Sequence, residues 1–315
     1  MRRLSVVIPT YNRRSMLPRV IAPLLGDAAT AEVIVVVDGA QDGSLELLAE
    51  LSAEDRRVVP LATPNRGADS ARTTGVERAE SEIVLILDDD VEAGPQLASR
   101  HLAHHAVGTN LAVVGYMPLV KLDTPTARSY ARSYENRRRV WEQQPGSVIR
   151  TLWAGNISLR RESYLRAISQ PLRHRYDFHA DRAFSYRCVE AGLDGVFAAE
   201  CRAAHHYTRT VPQFARDGWK QGHDLVMLHD EFPAFEPSLP SDYFTRWASP
   251  WLKPLIEAGR RPRLASVTSA TASAYASRGG HGPPAADRAL DLFATIELQR
   301  GAIAAARELR AGYES

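Results

Sequence analysis

The first 90 residues alternate between short apolar runs and segments with helically spaced apolar residues, and this alternation constrains the fold most. The apolar runs predict strands and the segments between them predict helices: strands at residues 4–8, 32–37, 57–62 and 82–87, and helices at residues 14–25, 44–52 and 68–79. Nearly continuous Val and Ile, as at 32–37, is typical of a parallel strand covered on both faces. The βαβαβαβ order predicts an α/β fold with an open, mostly parallel sheet flanked by helices.

Polar residues follow each predicted strand at its carboxyl end. They are Pro9-Thr10-Tyr11, Asp38-Gly39, Asn65-Arg66-Gly67 and Asp88-Asp89-Asp90. Ligands of open α/β sheets bind outside the carboxyl ends of the strands. The sequence therefore predicts a binding site where these four strand ends meet.

The aspartate triplet directly follows the apolar run 83–87. Three adjacent carboxylates are unfavourable without a cation. Mg²⁺ and Mn²⁺ take oxygen ligands and commonly share them with substrate phosphates. We therefore expect a metal–diphosphate site at the end of this strand, with a solvated acidic turn as the alternative.

Composition excludes several classes of protein. The chain has 315 residues, 44% of them hydrophobic and 24% charged, which predicts a globular core. A net charge of +2 argues against a nucleic-acid-binding protein. Two cysteines cannot form a disulfide framework, and the first apolar run is too short for a signal peptide, so we expect a cytoplasmic protein. No window has the length of a membrane span.

The rest of the chain is less regular. We predict strands at 112–116, 153–159 and 195–204, and helices at 184–193, 211–229, 265–275 and 285–309. An arginine-rich segment at 121–150 and an irregular connection at 233–254 lie between them. We expect segment 121–150 to be a solvated helix, or else a mobile segment over the site.

The last predicted helix has apolar residues near one face: Leu290, Phe293, Ile296 and Ile303. Core packing or a homodimer contact is the expected role, and peripheral docking on the inner membrane surface is the alternative. The predicted division is a nucleotide-binding and catalytic domain at 1–230 and a C-terminal helical extension at 231–315.

Several motifs in this order resemble those of family 2 glycosyltransferases, the inverting enzymes of the GT-A fold. The similar segments are Val6 to Arg13, Val35 to Gly39 with Asp42-Gly43-Ser44, Asn65-Arg66-Gly67 with Ala71-Arg72, Asp88-Asp89-Asp90, Gly155-Asn156 with Arg160-Arg161, and Asp181 with Tyr186-Arg187 and Ala191-Gly192. The resemblance covers roughly residues 4–230 and implies a GT-A fold with a C-terminal helical appendage.

The resemblance implies a nucleotide-sugar donor and a divalent metal, Mn²⁺ or Mg²⁺. The residues it assigns to the donor are Pro9, Thr10, Tyr11, Arg13, Asp38, Asn65, Arg72, Asp88 and Asp89. Among them, Asp38 would contact the base, Arg72 the base or a phosphate, and Asp88 the ribose. Asp89 is the member of the triplet most expected to face away.

Asp90 would bind the metal, with a histidine from the His205-His206 pair. Side chains alternate along a strand, so one of these two histidines faces the site. A packed or surface histidine is the alternative, and the sequence leaves the choice between the two open.

Asp181 is implied as the general base that takes the acceptor proton. The family usually has a glutamate before this aspartate, whereas this chain has Ala180, so Asp177 and His179 remain alternatives. The residues implied on the acceptor side are Trp153, Gly155, Asn156 and His179.

The implied activity is metal-dependent, inverting transfer of a sugar to an acceptor hydroxyl. UDP-sugars are the favoured donors, with dTDP- and GDP-sugars behind them, and the acceptor is a small molecule, a glycan or a lipid-linked molecule. A nucleotide-sugar-binding protein without turnover and a sugar nucleotidyltransferase are the alternatives. A nucleotidyltransferase would favour a Gly- and Arg-rich loop after the first strand, where this chain has Pro9 to Asn12.

Overall fold

The computed structural model describes residues 3–106, 110–236 and 284–313. The chain forms two compact units, each assembled from several stretches: the first from Met1–Val120, Glu135–Pro171 and Phe184–Tyr207, and the second from Lys121–Tyr134, Leu172–Ala183 and Thr208–Ser315. The predicted functional division at residue 230 stays a prediction. The predicted helix at 265–275 and most of the connection at 233–254 lie outside the described residues.

The first unit holds all eight described strands. Its elements are β1 (Leu4–Thr10), α1 (Leu17–Leu25), β2 (Thr30–Asp38), α2 (Ser44–Glu54), β3 (Val58–Thr63), α3 (Ala68–Arg78), β4 (Ile83–Leu87), β5 (Val91–Ala93), α4 (Leu97–His104), β6 (Leu111–Tyr116), a 3₁₀ turn (Pro145–Arg150), β7 (Asn156–Arg160), α6 (Arg161–Ala167) and β8 (Asp194–His205). Helices α5 (Pro125–Gln143) and α7 (Ala180–Glu190) each contribute residues to both units.

The strands form one sheet in the order β3-β2-β1-β4-β7-β6-β8-β5. The first four in this order are parallel, as predicted, and every residue of β1 and β4 is buried. Beyond β4 the sheet is mixed, because β7 is antiparallel to both β4 and β6, and β5 is antiparallel to β8. The α/β prediction is confirmed, and the antiparallel part is an addition to it.

Most of the arginine-rich segment is helical, as predicted. Two of its aromatic side chains are buried, however, so the prediction of a solvated helix is wrong for them. Tyr134 and Trp141 of α5 are each 1% exposed. The Trp141 ring packs on Phe197 at 5.5 Å between centroids, and its Nε1 donates to Thr151 Oγ1 at 3.0 Å. These aromatic residues anchor the helix, and its arginines account for the polar composition.

In the second unit, α8 (Val211–Glu231) packs against α9 (Pro284–Tyr313). Leu290 and Phe293 form a buried cluster with Ala215, and Ile296 is also buried. Core packing is therefore confirmed for these three predicted positions, whereas Ile303 is half-buried. Among the described residues, no helix has both the length and the apolar character of a membrane span.

Gly75 allows α3 to lie directly on the sheet. A Cβ atom at this position would overlap Val7 Cγ1 and would lie 3.2 Å from Val36 Cγ2. The close approach matters for the site, because α3 also carries Arg72.

We predict that Gly75→Ala lowers the free energy of unfolding by about 1–2 kcal/mol, since overpacking outweighs the gain in helix propensity. Urea denaturation measures the effect. Gly26→Ala is the matched control, because a Cβ there meets its nearest atoms at 3.5 and 3.8 Å. A Gly75→Ala protein that is more stable than wild type would contradict the close packing.

Candidate functional site

The aspartate triplet forms the turn between β4 and β5, and three backbone hydrogen bonds hold it. The Asp88 N–H donates to the Gly155 carbonyl at 3.1 Å, and the Val91 N–H donates to the Asp88 carbonyl at 3.1 Å. The His206 N–H donates to the Asp90 carbonyl at 2.8 Å. The turn is thereby fixed between the entry to β7 and the end of β8.

Asp88 is paired with the predicted arginine. Arg72 Nη2 donates to Asp88 Oδ1 at 2.9 Å, and Nη1 pairs with Asp69 Oδ1 at 3.1 Å. Gly155 permits the approach of Asp88, because a Cβ at Gly155 would lie 2.7 Å from Asp88 Oδ2. The guanidinium is thus held between two carboxylates at the strand end.

Asp89 does not face away, contrary to expectation. Its Oδ2 accepts a hydrogen bond at 2.8 Å from Oγ1 of Thr10, the last residue of β1. Burial, followed by the negative charge of Asp90, raises the pKa of Asp89 to about 6. Asp89 therefore links the triplet to the neighbouring strand end.

Asp90 has a cationic or titratable neighbour on each carboxylate oxygen. Arg13 Nη2 lies 3.2 Å from Oδ2, and His205 Nε2 lies 3.5 Å from Oδ1. His206 instead pairs with Glu92, with 2.8 Å between Nε2 and Oε2. His205 is therefore the histidine beside Asp90, and its role as a metal ligand stays a prediction.

The donor atoms around Asp90 suit a hard divalent cation. Carboxylate oxygens and an imidazole nitrogen are ligands for Mn²⁺, and carboxylates also for Mg²⁺. Asp90 and His205 could hold such a metal together, and the two adjacent carboxylates supply negative charge that a cation would offset.

A second group of metal-ligating atoms lies elsewhere in the first unit. The ligand atoms of His104, Glu200 and Cys201 lie within 4.8 Å of one another. Burial raises the pKa of the Cys201 thiol to about 12, and His104 Nε2 already contacts Glu200 Oε1 at 2.6 Å. None of the residues predicted from sequence belongs to this group, and its protonated thiol makes it the weaker candidate.

Asp38 shapes the loop that follows β3. Its buried carboxylate accepts hydrogen bonds from Thr63 Oγ1 at 3.0 Å, the Arg66 N–H at 3.0 Å and the Gly67 N–H at 2.7 Å. Asn65 lies in this loop against Gly39, whose φ of +74° favours glycine. Much of the acceptor capacity of Asp38 is used within the protein, so its predicted contact with the base stays a prediction.

The remaining predicted donor residues surround the end of β1. Pro9 and Thr10 are buried, whereas Tyr11 is 50% exposed. Trp153 is half-buried in the stretch that leads to Gly155 and β7.

Asn156 belongs to the core and not to an open surface. Its side chain is fully buried, Nδ2 donates to the Cys201 carbonyl at 2.9 Å, and Oδ1 lies 2.9 Å from His101 Nε2. This geometry favours a supporting role for Asn156 over the predicted contact with an acceptor.

A buried polar network continues from Asn156. His101 Nδ1 lies 2.9 Å from Ser158 Oγ, and His105 Nε2 lies 2.8 Å from the same oxygen. Since Asn156 Oδ1 is an acceptor, His101 Nε2 carries a proton, so Nδ1 accepts the Ser158 hydroxyl and Ser158 accepts from His105. The bond from Ser158 to His101 requires a neutral His101, because Nδ1 must accept, whereas the Nε2 atoms of both histidines donate N–H bonds.

Sequence analysis missed both histidines. Their signal is the triplet His101, His104 and His105, which has i, i+3, i+4 spacing. Such spacing places the three side chains on one helix face.

Burial lowers the pKa of His101 to about 3 and that of His105 to about 4. Both values lie below the unfolded value of about 6.5, so the unfolded state binds more protons as the pH falls below 6.5. Each histidine then lowers the free energy of unfolding by about 2 kcal/mol between pH 7 and pH 5. The raised pKa of Asp89 has the opposite sign and offsets about 1.4 kcal/mol of this loss.

We predict a net decrease of about 2–3 kcal/mol in the unfolding free energy between pH 7 and pH 5. Urea denaturation at each pH measures it. In Asp89→Asn the decrease should be steeper, because the opposing titration is removed. A flat profile in the wild-type protein would exclude buried neutral histidines.

The second unit carries the residues predicted for the base. Asp181 lies in the first turn of α7, and the His179 carbonyl accepts from the N–H groups of Arg182 and Ala183 at 3.0 Å each. Asp177 contacts Arg175 at 3.4 Å and Lys220 at 3.7 Å. The three alternatives thus occupy one short stretch at the start of the helix.

Asp224 fixes this stretch and was not predicted. Its carboxylate is 1% exposed on α8, and its Oδ2 accepts from the Phe178 N–H at 2.7 Å and the His179 N–H at 2.9 Å. A buried carboxylate that caps two backbone groups positions the start of α7, which carries Asp181.

Comparison with known proteins provides a family and a fold. The family model described as "Glycosyl transferase family 2" matches residues 5–166. An undecaprenyl-phosphate 4-deoxy-4-formamido-L-arabinose transferase from Pseudomonas fluorescens is 34% identical over 33% of this chain and 32% of its own length. The putative glycosyltransferase EpsH from Bacillus subtilis is 25% identical over 58% of this chain and 54% of its own length. The chain thus spans about a third to a half of these relatives.

Solved structures resemble nearly the whole chain. A mannosyltransferase from Pyrobaculum calidifontis in complex with GDP-Man and Mn²⁺ has a TM-score of 0.57 at 18% identity, over 95% of this chain and 88% of its own. TarS from S. aureus has a TM-score of 0.52 at 15% identity, over 94% and 90%. At these identities the likeness is one of fold, and it confirms the predicted GT-A architecture.

Proposed function

Because the chain belongs to glycosyl transferase family 2, we propose that it is a metal-dependent, inverting glycosyltransferase that uses a nucleotide-sugar donor. The observation that carries this proposal is the placement of Asp90 beside His205, in a turn that also holds Asp88 against Arg72. This turn lies at the carboxyl end of β4, where α/β sheets bind ligands. The named ligands of two similar structures, GDP-Man with Mn²⁺ and UDP-GlcNAc, add support.

The donor would lie across the ends of β1, β2 and β4. Tyr11 offers an exposed ring to the base, and Asp88 an acceptor for the ribose hydroxyls. Asp90 and His205 would hold Mn²⁺ or Mg²⁺, which supplies Lewis-acid stabilisation of the leaving diphosphate. Arg72 and Arg13 contribute positive charge near the phosphates.

The transfer is a direct displacement. The acceptor oxygen forms a bond to the anomeric carbon as the bond from that carbon to the diphosphate breaks, and the nucleoside diphosphate leaves. The acceptor proton passes to the Asp181 carboxylate, which acts as general base. Asp224 orients the base indirectly by fixing the backbone of Phe178 and His179.

The class of acceptor follows from whether a base is needed. A hydroxyl must lose its proton during attack, whereas a phosphate monoester is already ionised near neutral pH. Asp181 as base therefore favours a hydroxyl acceptor, on a small molecule, a glycan or a lipid-linked sugar. The name of one relative, an undecaprenyl-phosphate 4-deoxy-4-formamido-L-arabinose transferase, points instead to a lipid phosphate, which is therefore the competing class of acceptor.

Asp90→Asn should weaken Mn²⁺ binding by at least about tenfold, equivalent to about 1.4 kcal/mol, because it removes an anionic ligand. Isothermal titration with Mn²⁺, alone and with UDP or GDP, measures the loss. Glu92→Gln is the matched control, because this nearby carboxylate pairs with His206, whereas Asp90 pairs with His205. Equal Mn²⁺ affinity in Asp90→Asn and wild type would refute the metal assignment.

Asp181→Asn should retain Mn²⁺-dependent nucleotide binding but lose about 10²–10⁴-fold in transfer to hydroxyl acceptors. Release of nucleoside diphosphate from UDP-GlcNAc and GDP-Man, with alkyl glycosides or undecaprenyl phosphate as acceptors, measures it. Asp177→Asn is the control.

Full hydroxyl transfer by Asp181→Asn would move the base to His179 or Asp177. If Asp181→Asn and Asp177→Asn are both active, and only with undecaprenyl phosphate as the acceptor, the acceptor is a phosphate. Nucleotide binding without any turnover would favour the binding protein over the enzyme.

A further inference from the structure

The carboxylate that would bind the metal is already engaged by an arginine. Arg13 Nη2 lies 3.2 Å from Asp90 Oδ2, and His205 Nε2 lies 3.5 Å from Oδ1. The side chains of Arg13 and Asp90 are 26% and 17% exposed, so the pair is partly shielded from water. A divalent cation on Asp90 would therefore meet the guanidinium at the same carboxylate.

A guanidinium and a divalent cation compete for one carboxylate. Both interact with the carboxylate oxygens, and when both are bound to one carboxylate their positive charges repel each other. Arg13 thus occupies part of the coordination shell that the metal needs. Its presence weakens metal binding for as long as its charge has no other anionic partner.

The donor supplies that other partner. A diphosphate offers several anionic oxygens, and arginine binds phosphate oxygens through two parallel N–H bonds. Arg13 is placed for such an exchange, because it lies in the loop between β1 and α1 and outside either element.

We propose that Arg13 holds the metal-binding carboxylate Asp90 in the donor-free enzyme and moves to the donor diphosphate when metal and donor bind. This inference rests on the proposed metal role of Asp90. Its consequence is that metal and nucleotide bind cooperatively, and the metal alone binds weakly. The enzyme would thereby take up its metal mainly together with the donor.

The neighbouring arginines show that this position is distinctive. Arg14 is directed to another loop, where Nε donates to the Gly43 carbonyl at 3.2 Å. Arg72 is held on a helix by both Asp69 and Asp88. Arg13 is therefore the arginine whose release would free Asp90, and Arg14 provides a control of equal charge one residue away.

The test measures metal and nucleotide binding separately. Free Mn²⁺ is followed by electron paramagnetic resonance, and UDP and GDP affinities are measured by titration at saturating Mn²⁺. In Arg13→Gln we expect Mn²⁺ alone to bind about three- to tenfold more tightly and the diphosphates about tenfold more weakly. Because Arg13 has left Asp90 once the diphosphate is bound, Mn²⁺ affinity at saturating diphosphate should not change, and the coupling between the two ligands falls by about three- to tenfold.

Matched variants separate the outcomes. Arg13→Lys keeps the charge, so Mn²⁺ affinity should stay near that of wild type while diphosphate affinity falls. Arg14→Gln should change neither affinity, and thermal unfolding verifies that each variant is folded. If Arg13→Gln binds Mn²⁺ no more tightly while Asp90→Asn loses Mn²⁺, the exchange is wrong and the metal site stands. If Asp90→Asn binds Mn²⁺ normally, the metal site and the exchange are both wrong.

Discussion

Mutual repulsion of three carboxylates in one turn is the interaction on which the rest of the site depends. Each carboxylate is compensated by a different part of the chain. Asp88 pairs with Arg72 on α3, Asp89 accepts from Thr10 at the end of β1, and Asp90 lies between Arg13 and His205. The compensation brings the ends of β1, β4 and β8 together at this turn, although β7 and β6 separate β4 from β8 in the strand order. The end of β8 reaches the turn through its pairing with β5.

A buried hydrogen-bond network around Asn156 supports the strand that leads into this turn. Asn156 opposes Leu87 in the sheet, one residue before the triplet. It is held by His101 on one side and the Cys201 backbone on the other. These buried hydrogen bonds connect β4, β7 and β8 and favour one arrangement of the three strands. The turn is therefore supported by hydrogen bonds that contribute no charge of their own.

The sequence predicted the parallel half of the sheet well, because periodicity and burial agree there. Residues 83–87 are apolar without interruption, and all five are buried. Strand β5 was missed because three residues are too few for a pattern. Helix α4 was missed because a polar histidine on its buried face interrupts the apolar pattern. Trp141 was assigned to a solvated helix because the surrounding arginines dominate the composition, but its side chain is buried.

Site residues were predictable where chemistry and position coincide, and less so where only residue type was available. The triplet, Arg72 and Arg13 lie together because strand ends converge, which the order of elements already implies. Asn156 shows the opposite case, since an amide beside a glycine suits either a ligand contact or a core network. Its partners, His101 and the Cys201 carbonyl, are 55 and 45 residues away in sequence. Only the fold reveals such partners, just as it reveals that Asp224 anchors the start of α7. The residues proposed to carry the chemistry can thus be identified from local sequence, whereas the residues that position them are defined by long-range contacts.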